Sequence, residues 1–186
     1  MEEKGYFVTG IDTDVGKTIV SSILVEMLGF DYWKPMQSGD LDNSDTMKVQ
    51  NYVSRTDIKF FPERYRLTEP MSPHAAANID GINVSLSDFQ LPSSSNLLVE
   101  GAGGLYVPLN NEGDCIVDLA SQFGLETIVV SRNYLGSINH TLLTVSELKN
   151  RGVSIKGIIL VGAENKESQT IIKTISGCRI LGVIPM

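Results

Sequence analysis

Cysteine is nearly absent. Cys115 and Cys178 stand far apart, with neither Cys-x-x-Cys nor Cys/His ligand spacing, which excludes a disulfide scaffold, argues against structural zinc and fits a reducing compartment. Both read as ordinary small core residues. Basic charge is also short, with 15 Lys and Arg against 22 Asp and Glu and a net charge of −7. A chain of that balance lacks the electrostatic footprint of a nucleic-acid or anionic-membrane binder, so any phosphate it binds must be held locally. No stretch approaches the ~18 consecutive apolar residues of a membrane span. The start, Met1-Glu2-Glu3-Lys4-Gly5-Tyr6, has neither the basic region nor the apolar stretch of a secretory signal, and the expected location is the cytoplasm. Ser/His/Asp and Cys/His constellations for covalent catalysis are missing as well.

What is there is an alternation of strand-like and helix-like segments. Tyr6 to Thr9, Asn96 to Val99, Thr127 to Val130 and Ile155 to Val161 are short apolar, β-branched runs of the kind buried on both faces of a sheet. Helical periodicity occupies Thr18 to Leu28, Ile116 to Phe123, Ile138 to Lys149 and Ser168 to Ile175, several closed by a glycine at Gly29, Gly124, Gly152 or Gly177. The expected fold is therefore α/β, a single domain over residues 1–186 with a mostly parallel sheet, helices on both faces, and ligands at the carboxyl ends of the strands. Between Arg55 and Pro92 the pattern is less regular and proline-rich, as in an elaborated edge. Arg179 to Ile184 reads as a last strand, ending near Met186.

The strand Tyr6 to Thr9 runs into Gly10-Ile11-Asp12-Thr13-Asp14-Val15-Gly16-Lys17-Thr18 and then into a helix. Strand, glycine loop and helix in that order make a phosphate-binding P-loop. Backbone N–H groups and the helix N-terminus offer positive dipoles to phosphate oxygens, Lys17 adds a point charge, and the Thr18 hydroxyl can ligate Mg²⁺. Five residues, not the usual four, separate Gly10 from Gly16, and Ile11 takes the place of a glycine. Asp12 and Asp14 suit such a loop only if they bond its backbone or face a metal or an amine, which hints at a cationic second substrate.

Three further segments carry chemistry. Pro35 biases Lys34 toward an extended conformation at a strand end; should that strand neighbour the first, Lys34 and Lys17 would both face one γ-phosphate, the alternative being a solvated lysine at a turn. Ser44 or Asp45 starts a helix and is explained by capping or the helix dipole unless a ligand is present. In Val99-Glu100-Gly101-Ala102-Gly103-Gly104 an acid ends a buried strand and a glycine-rich turn follows, so Glu100 is either a metal ligand or half of a strand-end ion pair. The N-terminus of the helix after Leu135-Gly136-Ser137-Ile138-Asn139-His140 could receive a carboxylate, whereas His140 itself reads as solvent-facing or locally capping.

Taken together, Gly10 to Thr18, Trp33 to Gly39, Asn43 to Asp45, Glu69 to His74, Val99 to Gly104 and Leu135 to His140 resemble, in order, the motifs of the dethiobiotin synthetase family. The resemblance implies MgATP-dependent closure of a ureido ring on 7,8-diaminononanoate with CO₂, through a carbamate that ATP phosphorylates. It assigns catalytic roles to Lys34, Lys17 and Thr13. Nucleotide contacts go to Asp14, Val15, Gly16, Lys17, Thr18, Glu100, Gly101, Ala102 and Gly103, and Mg²⁺ to Thr18, Asp45 and Glu100. Substrate contacts go to Thr13, Lys34, Ser38 and Gly104, with Gly136, Ser137 and Asn139 taking the substrate carboxylate across a homodimer interface. Where relatives carry an adenine-reading asparagine this chain has Val161-Gly162, with Asn165 a loose substitute, so a weaker or less discriminating grip on the base is expected. The competing class, a partitioning-type nucleotide switch, carries a second lysine early in the loop, and Gly10 to Val15 contains none.

Overall fold

The structure, a computed structural model, describes residues 4–185; the acidic start Met1 to Glu3 and the terminal Met186 lie outside them. In chain order the elements are β1 (Lys4–Gly10), α1 (Lys17–Leu28), β2 (Asp31–Trp33), β3 (Met36–Ser38), α2 (Asp45–Tyr52), β4 (Phe60–Phe61), β5 (Tyr65–Leu67), α3 (Pro73–Asp80), β6 (Asn96–Gly104), α4 (Ile116–Phe123), β7 (Glu126–Arg132), α5 (Ser137–Asn150), β8 (Ile155–Val161), α6 (Lys166–Ser176) and β9 (Ile180–Ile184). Seven strands form one sheet in the order β4-β2-β6-β1-β7-β8-β9, every pairing parallel. A two-stranded parallel pair, β3 with β5, stands apart from it. Among the described residues no helix is long and apolar enough to cross a membrane.

Burial on both faces explains why these strands read as continuous apolar runs. Phe7, Trp33, Leu97 and Val99 enter one apolar cluster with Ile116, Leu119 and Phe123 of α4, while their strand neighbours Val8, Tyr32 and Leu98 enter another with Val20 and Val25 of α1, Val49 of α2 and Leu148 of α5. Helix ends follow their sequence signals. Gly29, Gly81, Gly124 and Gly177 each close a helix in the left-handed conformation, which glycine adopts without a Cβ penalty.

From β1 the chain runs out to β2 and β4, returns to β6 beside β1, and continues to β7, β8 and β9 on the other flank. The winding reverses at β1, so a crevice opens over its carboxyl end, where the glycine loop lies. Two expectations are corrected. The strand before Lys34 does not neighbour the first: β6 lies between β2 and β1, and Lys34 shares a cavity with Lys17 only by side-chain reach. Gly101 to Gly104 is no turn but the continuation of β6, because residues without side chains let the strand run on close to Phe7 and Ile116, which a Cβ on Gly101 would meet at 3.1 and 3.2 Å. Cys115 also departs from the core reading; it is half-buried and flanks the start of α4, whereas Cys178 is buried.

Candidate active site

The loop after β1 wraps a lysine. Gly16 takes φ 97° at the start of α1, and a Cβ there would press on Val161 at 3.2 Å, so only glycine lets the helix N-terminus sit this close to β8. Lys17 folds back and donates to the Asp12 carbonyl at 3.0 Å. Gly10 makes room for it, since a Cβ at Gly10 would stand 3.0 Å from the Lys17 ammonium. Burial, and then the nearby Lys34 charge, lower the Lys17 pKa to about 8. Asp12 resolves as anticipated: its carboxylate accepts from the Thr13 backbone N–H at 2.7 Å. Asp14 holds φ 55° and its carbonyl accepts from Arg132 at 3.2 Å.

Opposite the loop, Lys34 is tied into a cluster of acids. Its ammonium stands 2.7 Å from Asp45 Oδ2 and 3.2 Å from Glu100 Oε1, with Lys34 and Glu100 both buried. Burial alone would pull the Lys34 pKa down; the Glu100 and Asp45 charges outweigh it and the net shift is upward. Thr18 Oγ1 donates to Glu100 Oε1 at 3.0 Å, and the Tyr32 hydroxyl donates to Glu100 Oε2 at 3.0 Å. At the α2 start the capping reading holds for Ser44, and Asp45 forms an ion pair. Ser44 accepts from the Met47 backbone and caps the helix, while Asp45 turns its carboxylate to Lys34.

Lys17, Thr18, Lys34 and Asp45 border one cavity of about 700 Å³, and the fully buried Glu100 lies behind them, outside its lining. Thr13, Asp14, Gly16, Lys17, Thr18, Lys34, Ser38, Asp45, Ala102 and Gly103 all line it. Among the described residues Ser38 Oγ is buried without a hydrogen-bond partner, which suits a hydroxyl that meets a polar ligand. Gly103 at φ 62° comes close to the loop, so that a Cβ there would lie 3.3 Å from Thr13 Oγ1. Gly104 instead lines a neighbouring cavity of about 600 Å³, alongside Tyr106, His140 and Leu143. Three residues around the site escaped the sequence reading, Gln37 and Lys48 in the cavity lining and Tyr32 behind it. Gln37 bonds the Gly39 carbonyl and accepts from the Asp45 backbone N–H, Lys48 bridges Asp40 at 2.6 Å and Asp45 at 3.6 Å, and Tyr32 holds Glu100. Only Lys48 left a signal, its i,i+3 spacing from Asp45 on a helix.

Gly136, Ser137 and Asn139 open α5 as expected, with Ser137 buried and Gly136 and Asn139 exposed; they do not line the cavity of their own chain. His140 is exposed and paired with the Tyr134 hydroxyl at 2.7 Å. On the β8 side, Val161 is fully buried, and Asn165 spends its side-chain oxygen capping α6 through the Ser168 N–H at 2.9 Å.

Magnesium fits the oxygens offered. Among the described residues no group of three or more His, Cys, Asp or Glu side chains is arranged for a metal; two carboxylates and one hydroxyl meet instead, all hard oxygen donors. Thr18 Oγ1 and Glu100 Oε1 lie 3.0 Å apart, about the edge of an octahedron with ligands at ~2.1 Å. The remaining positions would fall to phosphate and water.

Comparison with known proteins gives the family. A family model described as an AAA domain matches residues 4–186. The ATP-dependent dethiobiotin synthetase of Christiangramia forsetii is 50% identical over 97% of this chain and 87% of its own length, and that of Cytophaga hutchinsonii 47% identical over 96% and 86%. Solved structures share the fold at much lower identity. A putative plasmid partition protein from Borrelia burgdorferi bound to AMPPNP superposes with TM-score 0.61 at 12% identity over 100% of this chain and 88% of its own; the cell-division ATPase MinD of Pyrococcus furiosus gives 0.57 at 14% over 100% and 84%. At such identity the fold alone is shared, whereas near 50% over almost the whole chain the family is fixed: the chain belongs to the ATP-dependent dethiobiotin synthetases.

Proposed function

We propose that this protein closes the ureido ring of dethiobiotin on 7,8-diaminononanoate, using CO₂ and ATP with Mg²⁺, in the cytoplasm and as a homodimer. The observation that carries this reading is the convergence of Lys17, Lys34, Thr18 and Asp45 on one cavity, with the buried Glu100 carboxylate bonded to Thr18 and Lys34 behind it.

In the proposed reaction one substrate amine adds to CO₂ and loses a proton, giving a carbamate. A carbamate oxygen then attacks the γ-phosphorus of ATP and ADP departs. The second amine attacks the carbonyl carbon of the mixed anhydride, phosphate leaves, and the ring is closed. Phosphoryl transfer of this kind needs alignment and charge neutralisation more than a protein nucleophile. Lys17 and the loop N–H groups from Asp14 to Thr18 hold the phosphates, joined by the Glu100 to Gly103 strand end. Lys34, raised in pKa and so a permanent cation, sits between the phosphoryl group and the carbamate. Thr13 and the unpartnered Ser38 hydroxyl orient the carbamate. Thr18, Asp45 and Glu100 would hold Mg²⁺, which when bound supplies neutralisation of phosphate charge. Gly136, Ser137 and Asn139, exposed or at the helix start rather than in their own chain's cavity, take the substrate carboxylate from the partner subunit.

The test mixes purified protein with diaminononanoate, bicarbonate and MgATP, following phosphate and ureido product. Equal amounts of both, each dependent on the diamine, are expected. Phosphate released at the same rate without diamine would overturn the reading in favour of a nucleotide switch.

A further inference from the structure

Glu100 divides its two oxygens between different tasks. Oε1 faces the cavity groups, receiving Thr18 Oγ1 at 3.0 Å and Lys34 Nζ at 3.2 Å. Oε2 points the other way and, among the described residues, receives only the Tyr32 hydroxyl, at 3.0 Å. Tyr32 and Glu100 are both 0% exposed, so no solvent competes for that second oxygen.

The sheet register builds this contact. Tyr32 of β2 pairs with Leu98 of β6, and residues two apart on a strand share a face, so Leu98 and Glu100 project to the same side as the Tyr32 ring. The ring spans the two-residue offset and delivers its hydroxyl to the carboxylate. Phe60 of β4 closes its outer side, with ring centroids 6.1 Å apart. Tyr32 does not line the cavity and touches nothing that reacts; it acts through Glu100.

We propose that Tyr32 is a positioning residue that sets which divalent cation the site accepts, by holding Oε2 so that Glu100 offers one oxygen rather than two. This rests on the magnesium reading given above. A single carboxylate oxygen suits a small cation that demands octahedral ligands at ~2.1 Å, whereas a larger cation such as Ca²⁺ draws on six to eight oxygens and favours carboxylates that bind through both. Partners that orient a metal ligand are typically worth ~10–100-fold in affinity when removed.

Tyr32→Phe deletes the hydroxyl and keeps the ring. The readout is the ratio of Kd values for the Mg²⁺ and Ca²⁺ complexes of AMPPNP, measured by calorimetry on wild type, Y32F and, as a control that loosens the ring without touching the hydroxyl, Phe60→Leu. We expect the preference for the magnesium complex to shrink by about tenfold or more in Y32F and to stay within about twofold of wild type in F60L. A Y32F ratio within twofold of wild type overturns the proposal, as does an equal collapse in F60L, which would trace the effect to ring contacts. Should wild type bind metal-free AMPPNP in EDTA as tightly as its magnesium complex, the magnesium reading itself fails and the proposal with it. A crystal structure of wild type with Mn²⁺ and AMPPNP tests the same point without a variant: Glu100 bound through Oε1 alone, with Oε2 still on Tyr32, is expected, and a two-oxygen Glu100 released from Tyr32 overturns it.

Discussion

Lys34 neutralises two carboxylates that would otherwise face each other across a few ångströms of protein interior. Replacing it with alanine therefore has two expected consequences. The rate of ureido formation under saturating substrates drops by more than tenfold, about 1.4 kcal/mol of transition-state stabilisation at the least, and the melting temperature falls because Glu100 and Asp45 lose their buried counter-charge; steady-state kinetics and thermal melting check both, and a rate within threefold of wild type refutes the assignment. Lys17 gives the pH dependence. Its pKa in the folded chain, about 8 against the ordinary 10.5, follows from burial and then Lys34, partly offset by Glu100, Asp45 and Asp14. Between pH 8 and 10.5 the unfolded chain holds a proton that the folded chain does not. Keeping Lys17 charged therefore costs stability below about pH 8, and that cost is relieved as pH rises through the window. A polyphosphate reverses the preference. At pH 9 nucleotide binding should take up close to one proton and at pH 6.5 almost none, a difference visible as a buffer-dependent binding enthalpy in calorimetry.

Among the elements, the segment between β3 and α2 shows how backbone conformation fixes the place of Ser38, proposed above to orient the carbamate. Gly39 takes φ 69°, and a Cβ there would lie 2.5 Å from the Pro70 Cα, a backbone atom that cannot step aside. Gly39→Ala should displace the strand end bearing Ser38 and raise the KM for the diamine several-fold more than that for ATP. The α6 N-terminus offers a contrasting case. Asn165 accepts the Ser168 N–H, and losing such a cap costs about 1 kcal/mol. Asn165→Ala should lower stability by that amount in chemical denaturation while leaving the KM for ATP unchanged; a marked rise in that KM would return Asn165 to the role of base reader.

For the molecule as a whole, the β8 edge of the crevice bears on nucleotide choice. Val161 is spent on the core and against Gly16, so this position presents an alkyl group and no amide to a base. The expected preference for ATP over GTP and CTP, as a ratio of kcat/KM, is below about a hundredfold, and competition kinetics decide it. The helical start at Gly136 to Asn139 belongs to the same scale. If a second copy completes the pocket, Asn139→Ala mixed with Lys34→Ala should regain part of the activity that each lacks alone, through dimers holding one intact site.

The alternation of buried strands and helices, the P-loop and the order of the motifs were legible in residues 10–18, 34–45 and 99–104 because each depends on local rules: a strand's apolar run, a glycine's freedom, a hydroxyl at a helix start. Sequence distance hid the rest. Nothing between Tyr32 and Glu100 along the chain says that their side chains meet, since the contact exists only because β2 and β6 pair in one register. Likewise the extension of β6 through its glycines, and the strand standing between β2 and β1, were decided when the sheet assembled. Local chemistry named the groups proposed to bind phosphate; the long-range pairing of strands decided how far apart they stand and which partner each oxygen meets.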